Sequence, residues 1–181
     1  MGALTKTGES NKQKALLGGE QGQYLTFQLG GEMFAIGILN IKEIIEYGHL
    51  TEVPMMPEFI RGVINLRGAV VPVVDLLARF GRSRSAVSRR TCIVIIEVDH
   101  ENVKQDIGVV VDAVSEVLEI SDENIEPAPN FGARIRADFI SGMGKINNKF
   151  VIILNVGNVL SIDDLAMLGQ ASQTGSVEDA N

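Results

Sequence analysis

FIRGVINLRGAVVPVVD (residues 59–75) and FISGMGKINNKFVIILN (residues 139–155) are two forms of one stretch, set eighty residues apart. Phe59, Ile60 and Gly62 align with Phe139, Ile140 and Gly142. Leu66 aligns with Ile146, and the run Val71 to Asp75 aligns with Val151 to Asn155. Ahead of them, Glu43-Ile44-Ile45-Glu46 is echoed by Glu116-Val117-Leu118-Glu119, and Pro54 and Pro127 follow at the same spacing. Self-similarity at a fixed spacing is a statement about architecture. It predicts two similar small units in one chain, a layout suited to holding partners rather than enclosing a reaction.

Around the repeat the pattern is mostly strand. Leu25, Phe27 and Leu29 alternate with Tyr24, Thr26 and Gln28, the period of a half-buried strand. Gly30-Gly31 then reads as a hairpin turn into Met33 to Ile38. Ile93 to Ile96 and Ile107 to Val111 are continuous β-branched runs, expected of strands buried on both faces, with His100-Glu101-Asn102 at the turn between them. Val70 to Val74 and Phe150 to Leu154 are further short strands. Helices are few. Asp75 can cap Leu76 to Phe80, with Gly81 as the stop, and Asn155 stands at the equivalent place in the second copy. Ser161 can cap Ile162 to Leu168, with Asp164 in the first turn and Gly169 beyond the end. Many short strands with glycine turns point to small barrels or a sandwich.

The chain has 181 residues, 45% of them hydrophobic, enough for a proper core. With 5% aromatics and no Trp, that core is expected to be aliphatic. Half-chains of roughly 70 residues are marginal alone, so the two units should pack together. A net charge of −7 argues against a nucleic-acid binder, which needs a basic face. The single Cys92 forbids an internal disulfide and fits a reducing compartment. No apolar run approaches the length of about 18 residues that spans a bilayer, and the first residues carry no apolar leader core. The expectation is a cytoplasmic protein without membrane insertion. Residues 1–22 and 169–181 read as polar tails flanking one ordered region, 23–168. The stretch Arg82 to Arg90 reads as a solvated basic loop between the halves.

No reaction chemistry emerges. His49 and His100 lie at turns, far apart in sequence, and do not form a metal-ligand cluster. Cys92 opens a buried strand as a small core residue. Gly142-Met143-Gly144-Lys145 resembles a phosphate loop but lacks its spacing, and Ile146 stands where a magnesium-holding Ser or Thr belongs. Asp75 is spoken for as a cap, and Asp99 and Asp112 end strands where turns begin. The sequence therefore predicts no catalytic residue, no cofactor and no metal.

The differences between the copies are more informative. The second hairpin tip is Asn147-Asn148, residues that tolerate a left-handed turn, whereas the first is Arg67-Gly68. Gly68 serves the turn and Arg67 is not demanded by it. Arg67 either offers its five-donor fork to a partner or closes an internal ion pair, for instance with Glu43. The stiff segment Glu126-Pro127-Ala128-Pro129-Asn130-Phe131 either presents Phe131 as a docking anchor or folds it onto the core. Ile41, Ile44, Val114 and Val117 either line a seam that accepts an amphipathic helix or lie in the shared core.

Taken together, these motifs resemble the CheW family of chemotaxis coupling proteins. They are Tyr24 to Leu29, Phe34-Ala35-Ile36, Ile41-x-Glu43-Ile44, Pro57-x-Phe59-Ile60-x-Gly62, Asn65-Leu66-Arg67-Gly68, Val71 to Leu76, Gly108-x-x-Val111-Asp112 and Pro127-Ala128-Pro129-x-Phe131. The likeness covers about residues 22–168. It implies an all-β fold of two intertwined five-stranded SH3-like barrels with no catalytic activity. It implies an adaptor that joins the cytoplasmic tip of chemoreceptors to the regulatory domain of the histidine kinase CheA, with other CheW-like subunits in rings. A CheW-like paralogue scaffolding a different histidine-kinase pathway is the alternative. Carried over by residue, the receptor side falls at Ile41, Glu43, Gly62, Arg67, Gly108 and Val114. The kinase side falls at Glu126, Asn130 and Phe131. The position before that Phe is often acidic in the family but is Asn130 here, and Glu126 stands where a basic residue can occur. The resemblance thus carries the Phe131 anchor without a salt bridge beside it.

Overall fold

The computed structural model describes residues 22–128 and 135–161. The chain runs β1 (Gln23–Leu29), β2 (Glu32–Gly37), β3 (Ile41–Glu46), β4 (Ile60–Leu66), β5 (Ala69–Asp75), α1 (Leu76–Arg79), β6 (Cys92–His100), β7 (Val103–Val111), β8 (Ala113–Glu119), β9 (Ile125–Glu126), β10 (Ile140–Ile146), β11 (Lys149–Leu154) and α2 (Val156–Val159). One sheet has the order β8-β1-β2-β11-β10-β9, the other β3-β6-β7-β5-β4. Each curls into a small SH3-like barrel.

The two orders are the same order. β8 corresponds to β3, the β1–β2 hairpin to the β6–β7 hairpin, β11 to β5 and β10 to β4. In each, one hairpin strand pairs in parallel with the strand that ends in the Asp or Asn cap. Where β9 pairs with β10, the isolated bridge Thr51↔Val63 does the same service beside β4. The chain lays down β1 and β2, builds the whole second sheet, and then returns to finish the first, so the barrels are intertwined. The repeat visible in sequence covers only the strands between which similarity survives; the hairpin of the first barrel lies N-terminal to it.

Burial explains the continuous apolar runs. Ile93, Ile95 and Val110 face the interior of the second barrel with Val71 and Val73. Val94, Ile96, Val109 and Val111 face the opposite way, into the core shared by both barrels. The first barrel has its own small interior around Ala35, Ile120, Val151 and Ile153. The core is aliphatic as expected, apart from one row of rings where the barrels meet. Phe27, Phe34, Phe80 and Phe139 form a row with ring centroids 6.1, 5.7 and 6.1 Å apart. Offset aromatic pairs add about 0.5–1.5 kcal/mol each beyond the area they bury. The few aromatics are thus concentrated where the units meet.

The caps recur as expected. The Ala78 N–H donates to Asp75 Oδ1 at 3.1 Å, and the Asn158 N–H donates to Asn155 Oδ1 at 3.1 Å. Gly81, with φ of 87°, ends the first of these turns. One turn is placed differently: β6 continues to His100, Asp99 pairs with Lys104 inside the ladder, and Glu101-Asn102 makes the tip. The tails, and the helix expected at 162–168, lie outside the described residues. Among the described residues no helix is long and apolar enough to cross a membrane.

Candidate functional site

Arg67 and Asn147 occupy matching tips, and both turns need left-handed backbone at two consecutive positions. The φ angles are 53° and 86° at Arg67-Gly68 and 50° and 65° at Asn147-Asn148. Asparagine and glycine accept that conformation; arginine pays about 1–2 kcal/mol for its Cβ. The turn is braced by the Gly68 N–H donating to Asn65 Oδ1 at 2.9 Å. Arg67 Nη2 meets Glu43 Oε2 on β3 at 3.0 Å, with the arginine side chain still 77% exposed. The ion pair with Glu43 forms, and it leaves most of the guanidinium facing outward. An exposed pair of this kind adds about 0–1 kcal/mol to stability.

Gly62 and Gly108 are both buried. Gly62 has φ of 151°, and a Cβ there would stand 2.4 Å from the Thr51 carbonyl oxygen. Its lack of a side chain lets Thr51 exchange two backbone hydrogen bonds with Val63, at 3.0 and 2.9 Å. A Cβ on Gly108 would stand 2.7 Å from Ile93 Cγ2. Both glycines shape the second barrel from within. Ile41 and Val114 pack half-buried against the shared core, whereas Ile44 and Val117 are exposed on the edge strands β3 and β8. Of the six receptor-side positions, Glu43 and Arg67 are the two that carry charged groups.

On the other side, Glu126 is exposed on β9, opposite Met143 of β10. Asn130 and Phe131 lie outside the described residues. The chain re-enters at the buried Ile135 and the 3-10 turn Ala137–Phe139.

A family model for the CheW-like domain matches residues 23–164. The chain belongs to the CheW-like domain family. It is 32% identical over 152 residues to the chemotaxis protein CheW of Klebsiella aerogenes, covering 84% of this chain and 89% of that one. It is 33% identical over 141 residues to the chemotaxis protein CheW of Helicobacter pylori, covering 78% and 82%. The crystal structure of the scaffolding protein TtCheW from Thermoanaerobacter tengcongensis superposes with a TM-score of 0.68 at 34% identity, covering 77% of this chain and 87% of that one.

Inside this CheW-like domain lies a polar network that sequence reasoning missed. Arg61 Nε donates to Asp75 Oδ2 at 2.7 Å, Arg61 Nη1 donates to the Tyr47 hydroxyl at 3.0 Å, and Arg61 Nη2 donates to the Ser85 carbonyl. The Ser85 N–H in turn donates to Asp75 Oδ2 at 3.0 Å. Burial works against the charge on Arg61, but the hydrogen bonds it donates to Asp75 and Tyr47 outweigh that and raise its pKa. The basic stretch is a mostly exposed loop, as its composition suggests, but it is anchored at Ser85 and Arg84. Ser85 is buried, and Arg84 donates to the carbonyls of Glu58 and Ile60, while Arg89 and Arg90 remain exposed. The signal was present in the repeat: Arg61 and Asp75 align with Ser141 and Asn155, so a charged pair in one CheW-like barrel is replaced by a neutral pair in the other.

Proposed function

We propose that this protein is a non-enzymatic chemotaxis adaptor that couples chemoreceptors to the histidine kinase CheA in the cytoplasm, beneath receptor arrays. The observation that carries the reading is Arg67: an exposed arginine on a strained, braced hairpin turn, in a chain belonging to the CheW-like family. A braced turn holding a planar fork outward suits recognition of a carboxylate or carbonyl on a partner, because the backbone is already ordered and the donors of the fork are fixed relative to one another. Arg67 and Glu43 carry the receptor side, with Gly62, Gly108, Ile41 and Val114 setting the barrel beneath them. Phe131, flanked by Glu126 and Asn130, carries the kinase side. The mechanism is positional. The adaptor fixes the kinase regulatory domain relative to the receptor tip, so a small receptor motion shifts the kinase between active and inactive populations. Two related barrels in one chain also suit head-to-tail contacts with CheW-like folds in a ring.

Calorimetric titration against a receptor cytoplasmic hairpin, and separately against the CheA regulatory domain, tests the reading. Binding to both is expected. Phe131→Ala should weaken the kinase arm by more than about 1 kcal/mol and leave the receptor arm alone. Binding to neither partner would overturn the adaptor role.

A further inference from the structure

Arg79 of α1 touches both copies of the repeat. Its guanidinium carbon lies 5.0 Å from the Phe59 ring centroid and 4.9 Å from the Phe139 centroid. Those two phenylalanines are the matching first residues of the two repeated stretches. Arg79 Nε donates to the Val159 carbonyl at 2.9 Å. Counted from the caps Asp75 and Asn155, Val159 holds the position in the second copy that Arg79 holds in the first. One side chain thus spans the junction, and only the first copy supplies it.

Each ring sits at the root of a segment assigned to a partner. The Phe59 carbonyl accepts the Asp75 N–H at 2.7 Å, and β4 runs directly from it through Gly62 to the Arg67 turn. The Phe139 carbonyl accepts the Asn155 N–H at 2.7 Å, and the Phe139 N–H donates to the Arg136 carbonyl at 3.0 Å. Phe139 is 1% exposed, with a second guanidinium, that of Arg136, 4.6 Å from its ring centroid. Arg136 is held by Asp138 at 2.7 Å. This turn follows immediately on the segment that contains Phe131.

From this arrangement we infer that Arg79 is a positioning residue that couples the Arg67 hairpin of one barrel to the Ile135–Phe139 turn of the other. The inference rests on the adaptor reading for its biological meaning, since those are the roots of the two partner faces. A cation lying over two rings, with its Nε tied to a carbonyl, cannot follow one ring without disturbing the other. Lysine, a point charge on a flexible stem, would not transmit the tilt of a ring. Spatial intermediacy alone does not establish coupling, so the test must measure transmission itself.

The full chain, isotopically labelled, is compared by amide NMR with Phe59→Leu in the native and Arg79→Met backgrounds. Phe59→Leu is expected to move the Ile135, Arg136 and Ala137 amides when Arg79 is present, and to move them at least about threefold less in Arg79→Met. Equal movement in both backgrounds, or none in the native one, overturns the inference. If Arg79→Met does not fold, Arg79→Lys replaces it, and transmission undiminished by lysine overturns the inference equally. In a second arm, a receptor hairpin is added; the same amides should move in the native protein and stay still in Arg79→Met. A hairpin that fails to bind would count against the adaptor reading, while the Phe59 comparison, which needs no partner, still decides the role of Arg79.

Discussion

Arg61 and Asp75 form a buried ion pair, Nε to Oδ2 2.7 Å, with the carboxylate fully out of solvent. Their counterparts in the second barrel, Ser141 and Asn155, are neutral. The same backbone scaffold therefore exists in a charged and an uncharged version within one chain. The charged version also holds Tyr47 and Ser85, which closes the connection between β5 and β6 over the second barrel.

Removing one partner of this pair strands the other. Arg61→Ala should cost about 3–5 kcal/mol, because it leaves an uncompensated buried carboxylate. The double change Arg61→Ser with Asp75→Asn copies the second barrel and should recover a large part of that loss. Urea unfolding of the three proteins decides it; equal destabilisation by single and double variants would show that the charge is not what matters.

Arg67 is held in a left-handed conformation that asparagine and glycine accept readily. Arg67→Asn should raise stability by up to about 1 kcal/mol by relieving backbone strain. The same change should weaken receptor-hairpin binding by about tenfold, an anchor's worth of interaction. A thermal melt and a titration on one sample check both halves. A variant that is more stable and binds as well as the native protein would remove Arg67 from the recognition face.

Gly62 and Gly142 are matched positions at matched register shifts, but their surroundings differ. A Cβ on Gly62 meets the Thr51 backbone oxygen at 2.4 Å; on Gly142 its nearest neighbour is a side-chain methyl, Ile125 Cγ2, at 2.7 Å, and the backbone oxygen of Glu126 stands farther off at 3.2 Å. Gly62→Ala should cost at least about 3 kcal/mol, with the positive φ adding to the clash, and Gly142→Ala about 1–2 kcal/mol. Denaturant midpoints for the two should fall in that order; the reverse order would contradict the contact geometry.

The Tyr24 phenol has its pKa raised above 10.0, by burial first and by the nearby Asp122 charge second. The folded state therefore keeps this proton more tightly than the unfolded chain does. Its contribution is fully present below about pH 10 and is lost as pH climbs through the raised folded value. Lys42, raised mainly by its hydrogen bond to Asp106, adds a loss of the same sign. Urea midpoints between about pH 9 and 11 should fall less steeply for Tyr24→Phe than for the native protein. Identical slopes would mean that Tyr24 titrates alike in both states.

Much of this was legible in the chain. Strand positions followed from apolar alternation and from β-branched runs, because a strand's two faces meet different surroundings every second residue. The Asp75 and Asn155 caps followed from residue type, because capping is a contact across three residues. The repeat announced two units, because equal backbones need glycine and apolar residues at equal places. The Phe row at the junction was legible only in part: the Gly30-Gly31 hairpin sets Phe27 opposite Phe34, but nothing local says that Phe80 and Phe139 join them.

The partner faces divide in the same way. Sequence alone marked Arg67 as an arginine that its turn does not require, and comparison of the two copies set it against Asn147. It could not say whether Glu43 takes up the guanidinium or leaves it free, since that depends on how far β3 lies from the hairpin tip across the barrel. Arg61 went unnoticed because its partners Asp75, Tyr47 and Ser85 lie 14 to 24 residues away and are brought to it only by the closing of the barrel. Strands, turns, caps and the doubling of a small unit are local choices, readable along the chain. Which distant residues share an interior emerges only on folding, because burial turns a stray Arg, Asp and Ser into one network and Arg79 into a bridge between two rings eighty residues apart.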